Sequence, residues 1–237
     1  MASGSACTGA ALVDRGFSDV SEGHTFREAI NCIAYYGITA GSGDGTTYSP
    51  EAEVTRAQMA LFVLRTAEKA GVRFPTAPDD GDDYFDDIDG VWPEARDAVN
   101  RLAAKGMVPR GGRFRPGDAM TRAEMASFLV ALLVEASPNV ANSTNGGIIL
   151  RRGRLTGRAN DWFADARELL SPANDAEVSA LYELGITRGA SPARIRDGSR
   201  PPLDTNYEPN GSVDRGQMAA FITRTLAHTP VRPSTPR

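Results

Sequence analysis

The chain has 237 residues, of which 41% are hydrophobic and 24% charged, and its formal net charge at pH 7 is −4. This length predicts one or two domains with a real hydrophobic core, and the composition excludes intrinsic disorder, collagen and a coiled coil. The mild acidity gives no reason to expect a nucleic-acid partner, and two histidines with two cysteines cannot build a Cys/His zinc site of usual spacing. We therefore expect no metal and no cofactor.

The N-terminal segment, residues 1–16, lacks the basic start and the long apolar stretch of a signal peptide. We accordingly expect either a mature fragment or a chain that reaches its destination without such a peptide. The longest apolar run, residues 128–134, is too short to span a bilayer, so we expect no membrane insertion. Cys7 and Cys32 allow one disulfide bond, and the alternative is that Cys32 is a thiol in the core.

Three segments of the chain repeat the same four features in the same order. Each opens with Phe-x-Asp and a stretch of helical periodicity, and continues through a glycine, an aromatic-x-proline turn and a second helical stretch. The aspartates are Asp19, Asp87 and Asp165, and the glycines are Gly37, Gly106 and Gly185. The aromatic-x-proline turns lie at 48–50, 114–116 and 207–209. Because glycine adopts the left-handed conformation that ends a helix, each segment is predicted to be a helix–loop–helix unit.

The second helix of each unit starts at a capping residue and carries one apolar face. The capping patterns are Thr55 with Gln58, Thr121 with Glu124, and Asp214 with Gln217. The apolar faces contain Met59, Met125 and Met218. One unit cannot bury its apolar face alone, whereas three units can pack theirs around a common axis. The sequence therefore predicts a mainly α-helical fold in which Met59 and Met125 are buried.

The segments between the helices suggest how the chain is divided. The predicted parts are an N-terminal segment at 1–16, repeat 1 at 17–71, an acidic linker at 72–84, repeat 2 at 85–138, an inserted loop at 139–162, repeat 3 at 163–228 and a Pro-rich tail at 229–237. The many aspartates between residues 79 and 89 suit either a solvated linker or a calcium site, although their spacing is not that of an EF-hand. Arginines 151, 152, 154 and 158 suggest a basic hairpin in the inserted loop, and repeat 3 carries an expanded loop before Tyr207.

Taken together, the repeats resemble the S-layer homology family, from residue 17 to about residue 227. Repeats 1 and 2 carry the whole pattern, whereas repeat 3 has Asp214 in place of threonine and Gly216 in place of alanine. The resemblance implies a pseudo-threefold prism of three helix–loop–helix repeats around a central three-helix bundle. It also implies grooves between neighbouring repeats that bind anionic, often pyruvylated, secondary cell-wall polysaccharide.

The same resemblance implies which side chains bind the ligand. These are an arginine in the first turn of the second helix and an aromatic residue near the first helix: Arg56, Arg122, Arg215, Phe26 and Trp92. An arginine that points outward beside free backbone N–H groups suits a carboxylate, and a sugar ring stacks on tryptophan. We place Arg122 beside Trp92 and expect it to matter most. The alternative is that the arginines pair with the three Phe-x-Asp aspartates, which are predicted to be structural, as are the three glycines.

Two functions are compatible with this pattern. The first is a non-catalytic anchoring module in the cell wall or at the cell surface, whose partner is secondary cell-wall polysaccharide. The alternative is a structural protein of a surface array or a virion, which docks to other protein chains through residues 139–161 and 189–207. The chain contains no Gly-x-Ser-x-Gly, His-Glu-x-x-His or Gly-x-x-x-x-Gly-Lys motif, so we do not expect an enzyme.

Overall fold

The computed structural model describes residues 6–78, 82–137, 149–151, 154–156, 162–163, 165, 169–189 and 206–233. The helices in this part of the chain are α1 (Arg27–Tyr35), α2 (Arg56–Lys69), α3 (Pro93–Lys105), α4 (Arg122–Ala136), α5 (Pro172–Glu183) and α6 (Arg215–Leu226). A 3-10 helix, Gly9–Leu12, precedes them, and β1 (Ile149–Arg151) pairs antiparallel with β2 (Arg154–Thr156). The prediction of a mainly helical fold is therefore confirmed. The two strands lie where the basic hairpin was predicted, while Arg152 and Arg158 lie outside the described residues.

The chain divides into two compact units. The first contains residues 1–120 and 213–237, where α1 packs against α6 and the 3-10 helix, and α2 packs against α3. The second contains residues 121–212, where both α4 and the hairpin contact α5. Most of the expanded loop of repeat 3, and Asp79 and Asp80 of the linker, lie outside the described residues. No described helix is both long enough and apolar enough to cross a membrane.

Local sequence explains where the helices begin and end. Complete capping boxes start α2 and α4: the hydroxyls of Thr55 and Thr121 accept the third N–H of the helix, and Gln58 and Glu124 accept the N–H of the cap residue. The side chain of Asp214 caps α6 by accepting a hydrogen bond from the N–H of Gln217 at 2.6 Å. The predicted glycines follow the first helix of each repeat in the left-handed conformation, with φ of 70° at Gly37, 80° at Gly106 and 71° at Gly185.

Equivalent residues of the three repeats meet in the first unit. Val54, Met120 and Val213 each precede the capping residue of a second helix, and all three are fully buried. The N–H of Met120 donates to Val54 at 2.8 Å, that of Val213 donates to Met120 at 3.0 Å, and that of Val54 donates to Val213 at 2.9 Å. These bonds form a closed cycle with threefold character at this point of the fold. The prism around a central helix bundle stays a prediction.

The core contains the apolar faces predicted from the helical periodicity. Met59, Met125 and Met218 are all fully buried, as the sequence predicts for the first two. The fully buried side chains of Ile30 and Ile33 in α1, and of Val99 and Leu102 in α3, belong to the same core faces. Each second helix thus buries the apolar face that contains its methionine. A single helix–loop–helix unit cannot cover this face by itself, so the face must pack against other parts of the fold.

Cys7 and Cys32 form a disulfide bond, with their Cα atoms 5.5 Å apart. This decides between the two alternatives that the sequence left open. The bond ties the N-terminal segment to α1 across 25 residues. Closing a loop of this size reduces the entropy of the unfolded chain, which in the loop-entropy account stabilises the fold by about 3.5 kcal/mol.

Candidate functional site

The Phe-x-Asp aspartates hold the aromatic-x-proline turns. Each carboxylate accepts hydrogen bonds from two successive N–H groups, that of the aromatic residue and that of the residue after it. The distances are 2.8 and 2.7 Å for Asp19 with Tyr48 and Ser49, 2.7 and 2.8 Å for Asp87 with Phe114 and Arg115, and 2.7 and 2.8 Å for Asp165 with Tyr207 and Glu208. The second donors have positive φ, 59° at Ser49, 58° at Arg115 and 57° at Glu208. This strained conformation points both N–H groups at one carboxylate, so the aspartates shape the turns.

These hydrogen bonds change the acidity of two of the aspartates. Partial burial of Asp19 and Asp87 opposes ionisation, but the bonds from the backbone N–H groups outweigh it and lower the pKa of each carboxyl below 3.8. Arg113 lowers the pKa of Asp87 further. Both side chains are therefore carboxylates at neutral pH, as acceptance of two N–H bonds requires.

Acid should weaken the fold through these two carboxylates. A group whose pKa is lower in the folded state stabilises the protein above its unfolded pKa, and this stabilisation is lost as the pH falls through the folded value. We expect Asp87→Asn to lower the melting temperature at pH 7 and to flatten its decline between about pH 5 and pH 1. Asp118→Asn, which removes the same charge from a side chain that is 56% exposed, is the matched control. Identical acid profiles for Asp87→Asn and the parent protein would contradict this role.

The three arginines predicted to bind ligand each bond to the backbone of one of the same aromatic residues. Their Nε atoms donate to the aromatic carbonyl oxygens at 2.7 Å from Arg56 to Phe114, 2.6 Å from Arg122 to Tyr207 and 2.7 Å from Arg215 to Tyr48. The guanidinium carbons lie 4.9, 4.8 and 4.6 Å from the centroids of the same rings, in the same order. Each arginine therefore joins the second helix of one repeat to the aromatic turn of another, with cation–π attraction added to the hydrogen bond.

Two of these contacts are reciprocal. The hydroxyl of Tyr48 donates to the carbonyl of Arg215 at 2.8 Å, and that of Tyr207 donates to the carbonyl of Arg122 at 2.9 Å. Arg122 is 6% and Arg215 7% exposed. Burial raises the pKa of both tyrosines, so their hydroxyls stay protonated and can donate, and it lowers the pKa of Arg215. The guanidinium groups of Arg122 and Arg215 are thus held by contacts with the protein itself.

The backbone N–H groups beside these arginines are already bonded, so the prediction that they are free for a ligand is wrong. At the start of α2, the N–H of Arg56 donates to Asp118 and that of Ala57 to Pro116, both at 3.0 Å. The matching bonds are Arg122 to Gly211 and Ala123 to Pro209 at 2.9 Å, Arg215 to Ala52 at 2.9 Å, and Gly216 to Pro50 at 2.8 Å. The Nε atoms are bonded to the aromatic turns as well, so any ligand of these arginines would have to bond to their Nη atoms.

One groove of the first unit brings Trp92 together with two arginines. This Trp92 groove, a cavity of about 440 Å³, is lined by Trp92, Glu94, Gln58, Arg65, Arg215 and residues 39–43. Trp92 is the residue before Pro93, the first residue of α3, and its side chain is 42% exposed. Arg65 projects from α2, and its Nη1 donates to the carbonyl of Ile38 at 3.3 Å. An exposed ring beside two guanidinium groups is suited to a sugar that carries a negative charge.

Of the three arginines predicted to bind ligand, the one that lines this groove with Trp92 is Arg215, whereas the sequence predicted Arg122. The reason is the order of contacts between repeats. The second helix of repeat 3 bonds to the turn of repeat 1, so Arg215 reaches the loop that also forms one wall of the Trp92 groove. The Nη2 of Arg215 lies 3.4 Å from the carbonyl oxygen of Gly41 in that wall.

Phe26 lies in a different groove. This Phe26 groove, a cavity of about 360 Å³, is lined by Phe26, Glu28, Thr223, Arg224, Cys7 and Leu12 among others. The ring of Phe26 packs so closely on α6 that a Cβ at Gly216 would stand 2.5 Å from its Cδ2 atom. The replacement of alanine by Gly216 in repeat 3 therefore has a structural reason, because it makes room for this ring.

Sequence reasoning missed Arg65 and the loop at 39–43. Arg65 stands nine residues after Arg56, and Arg224 stands nine residues after Arg215. Comparison of the second helices of repeats 1 and 3 would have revealed this recurring arginine. The equivalent residue of repeat 2 is Ala131. The loop contains Gly41, Ser42 and Gly43, and it forms one wall of the groove.

One carboxylate of the acidic linker, that of Asp83, is already bonded to protein groups that a calcium ion would have to displace. The carboxylate of Asp83 accepts from Nε of Arg96 at 3.1 and 3.0 Å and from the side-chain amide of Asn100 at 2.6 Å. Among the residues that the structure describes, no three acidic, histidine or cysteine side chains gather as a metal site would require. Asp83 instead anchors the end of the linker to α3.

Comparison with known proteins agrees with the geometry of the repeats. The S-layer homology domain profile matches residues 16–60 and 84–126. The first two repeats are thus S-layer homology repeats. The matched residues include Asp19 and Asp87, and both Arg56 and its partner Phe114. They also include Arg122, whose partner Tyr207 lies outside them. Neither match covers repeat 3, which stays a predicted third copy.

The relatives of this chain include two S-layer proteins and an enzyme. It is 26% identical to S-layer protein EA1 of Bacillus anthracis over 91% of this chain and 20% of that protein, and 25% identical to an S-layer protein of Bacillus licheniformis over the same shares. It is also 27% identical to an amylopullulanase of Thermoanaerobacterium thermosulfurigenes, over 60% of this chain and 6% of that enzyme. The chain thus spans about a fifth of the length of the S-layer proteins. Proteins of the S-layer homology family are associated with the cell surface.

Proposed function

We propose that this chain is a non-catalytic anchoring module of the cell surface that binds an anionic, pyruvylated cell-wall polysaccharide in the Trp92 groove. The observation that carries the proposal is the position of Trp92, 42% exposed, in one cavity with Arg65 and Arg215. The S-layer homology matches in repeats 1 and 2 support the location, and the S-layer relatives support the anchoring role.

Each side chain of the groove has a distinct part in this proposal. A sugar ring stacks its apolar C–H face on the indole of Trp92. The ketal carboxylate pairs with Arg65 and with the Nη atoms of Arg215, whose Nε is held by Tyr48 at 2.7 Å. Because that bond orients the guanidinium group before ligand arrives, little side-chain entropy is lost on binding. Glu94 accepts hydrogen bonds from sugar hydroxyls on the side away from the carboxylate.

Binding to cell walls should depend on the groove and on the acid groups of the polymer. We expect the protein to sediment with purified bacterial walls that retain pyruvylated polysaccharide and to stay in solution when the polymer has been extracted. Arg65→Gln should weaken binding by roughly 10- to 100-fold, since a hydrogen bond to a charged group contributes about 1.5–3 kcal/mol. Trp92→Ala should weaken it by about tenfold through lost stacking, whereas Trp92→Phe should retain part of the affinity.

The matched control is Arg113→Gln, which removes the same charge from a side chain that is 77% exposed and does not line the groove. The melting temperatures of all four variants are measured alongside, because a ligand-binding side chain at the surface can be replaced with little loss of stability. If Arg65→Gln and Arg113→Gln bind walls as well as the parent protein does, the groove is not the binding site. Equal binding to intact and extracted walls would contradict the proposed ligand.

A further inference from the structure

The start of α1 lacks the features that begin the other described helices. The side chains of Thr55, Thr121, Ser171 and Asp214 cap α2, α4, α5 and α6, and Pro93 begins α3. The residue that precedes α1, Phe26, makes no capping hydrogen bond through its side chain, and the helix begins at Arg27. The N–H groups at this start therefore depend on acceptors from outside the helix.

His24 supplies such acceptors. The N–H of Phe26 donates to Nδ1 of His24 at 3.2 Å, and the N–H of Arg27 donates to the carbonyl of His24 at 3.0 Å. A ring nitrogen that accepts a hydrogen bond carries no proton, so the proton of the neutral ring is on Nε2, which lies 3.4 Å from Oε1 of Glu51. Because both ring nitrogens carry protons in the imidazolium ion, the bond to the N–H of Phe26 exists only while the ring is neutral.

Two other turns of the first unit contain the same bond with a carboxylate as the acceptor. Oδ1 of Asp14 accepts the N–H of Gly16 at 3.1 Å, and Oδ1 of Asp44 accepts that of Thr46 at 3.0 Å, in each case two residues further along the chain. Hydrogen bonds from Gly16 and from Thr46 lower the pKa of the two carboxyls below 3.8, so both remain acceptors at pH 5. His24 differs from them because an imidazole gains its charge between about pH 8 and pH 5.

Two carboxylates lie near the ring of His24. One is that of Glu51, and the other is that of Asp214, which is close enough for its charge to interact with His24. Partial burial and the charge of Glu51 raise the pKa of Asp214, whereas a positive charge on His24 lowers it. Arg27, the next charged residue along the chain, pairs with Asp14 at 2.8 Å. A protonated His24 is therefore stabilised by carboxylates of repeats 1 and 3.

We propose that His24 is a pH-sensitive switch at the start of α1. The neutral ring holds the N–H of Phe26, and the protonated ring releases this group and pairs with Glu51 and Asp214. The ring of Phe26 packs so closely on α6 that Gly216 has no room for a Cβ, so the switch acts where α1 meets α6. The inference is independent of the proposed function, because it involves no ligand.

The test follows individual N–H groups of the isotope-labelled full chain by NMR. Hydrogen exchange is expressed as protection relative to an unstructured peptide at the same pH, so that the direct effect of pH on exchange cancels. We expect the protection of the Phe26 N–H to fall by about tenfold or more between about pH 7.5 and pH 5, through the loss of its hydrogen bond. The N–H groups of Gly16 and Thr46 are internal controls and should stay protected, because their acceptors remain carboxylates.

His24→Asn is the matched variant. The side-chain oxygen of asparagine accepts the N–H two residues further along at either pH, so the protection of Phe26 should no longer depend on pH. The double variant Glu51→Gln and Asp214→Asn keeps a capping side chain on α6 and removes both carboxylates. Its Phe26 N–H should lose protection at a lower pH than in the parent protein. The chemical shifts of the ring nitrogens of His24 identify the neutral tautomer independently of exchange.

Each other result overturns the inference. Equal protection of Phe26 at both pH values, or a neutral His24 with its proton on Nδ1, would show that the ring does not hold this N–H. An equal loss in His24→Asn, or a parallel loss at Gly16 and Thr46, would assign the change to other effects of acid. A double variant that behaves like the parent protein would show that the two carboxylates do not bind the protonated ring.

Discussion

Met125→Asp should lower the free energy of unfolding by at least about 4 kcal/mol, most of the stability of a typical domain. Met125 is fully buried in α4, which packs against α5 in the second unit. The substitution removes the packing of a long apolar side chain and places a carboxylate in a site without water. Urea unfolding followed by circular dichroism measures the loss, and we expect the variant to be largely unfolded at 37 °C or in the absence of denaturant.

Met125→Leu is the control for the size of the site. A swap that conserves volume and polarity should cost less than about 1.5 kcal/mol, so the difference between the two variants reports the buried charge. Met59→Asp and Met218→Asp test the equivalent positions of the other repeats, both fully buried. A loss below 1 kcal/mol in Met125→Asp would mean that this side chain reaches solvent, and the packing described for α4 would be wrong.

Arg122→Ala should lower the free energy of unfolding by about 2–4 kcal/mol. The variant loses a hydrogen bond from a charged group, the cation–π contact with Tyr207 and the packing of the side-chain methylenes. Because Arg122 is 6% exposed and its Nε bonds to Tyr207 at 2.6 Å, water cannot easily replace what is removed. Arg122→Lys should recover only part of the stability, since an ammonium group lacks both the planar fork and the Nε donor.

The chain contains its own control for this contact. Phe114 takes the place of Tyr207 in repeat 2, where the contact with Arg56 lacks the return bond from a hydroxyl. Tyr207→Phe should therefore cost only about 1 kcal/mol, the contribution of one neutral hydrogen bond. If Arg122→Ala melts at the temperature of the parent protein but binds cell walls less tightly, the arginine is a ligand residue and the structural role assigned to it here is wrong.

The sequence by itself determined the repeats, the helices and their ends. The caps at Thr55, Thr121 and Asp214 bond to groups three residues away, and the glycines that follow the first helices act on the adjacent turn. Interactions of such short range are encoded in the residues that make them, so periodicity and capping patterns are sufficient to find them. The burial of Met59 and Met125 follows from the same local pattern, since an apolar face must be covered by something.

The role of each arginine was decided only by the tertiary structure. Arg56, Arg122 and Arg215 stand at one local position, from which the side chain could point outward to a ligand or inward to the protein. The partner that holds Arg215 is Tyr48, 167 residues away in the chain. The backbone N–H groups beside each arginine could likewise have bonded to a ligand or to the protein. In the structure they donate to carbonyl groups of another repeat. No local pattern contains this information, because both outcomes use the same helix start.

The composition of the grooves was likewise decided by packing between repeats. Trp92 is paired with Arg215 and Arg65 because the turn of repeat 1 lies beside the second helix of repeat 3, where Val54 bonds to Val213. Cys7 and Leu12 of the N-terminal segment line the Phe26 groove, because the disulfide bond joins this segment to α1. The sequence showed only that one such bond was possible. Spacing in a sequence defines each repeat, but a groove is formed by side chains from several repeats, and only their packing decides which ones meet.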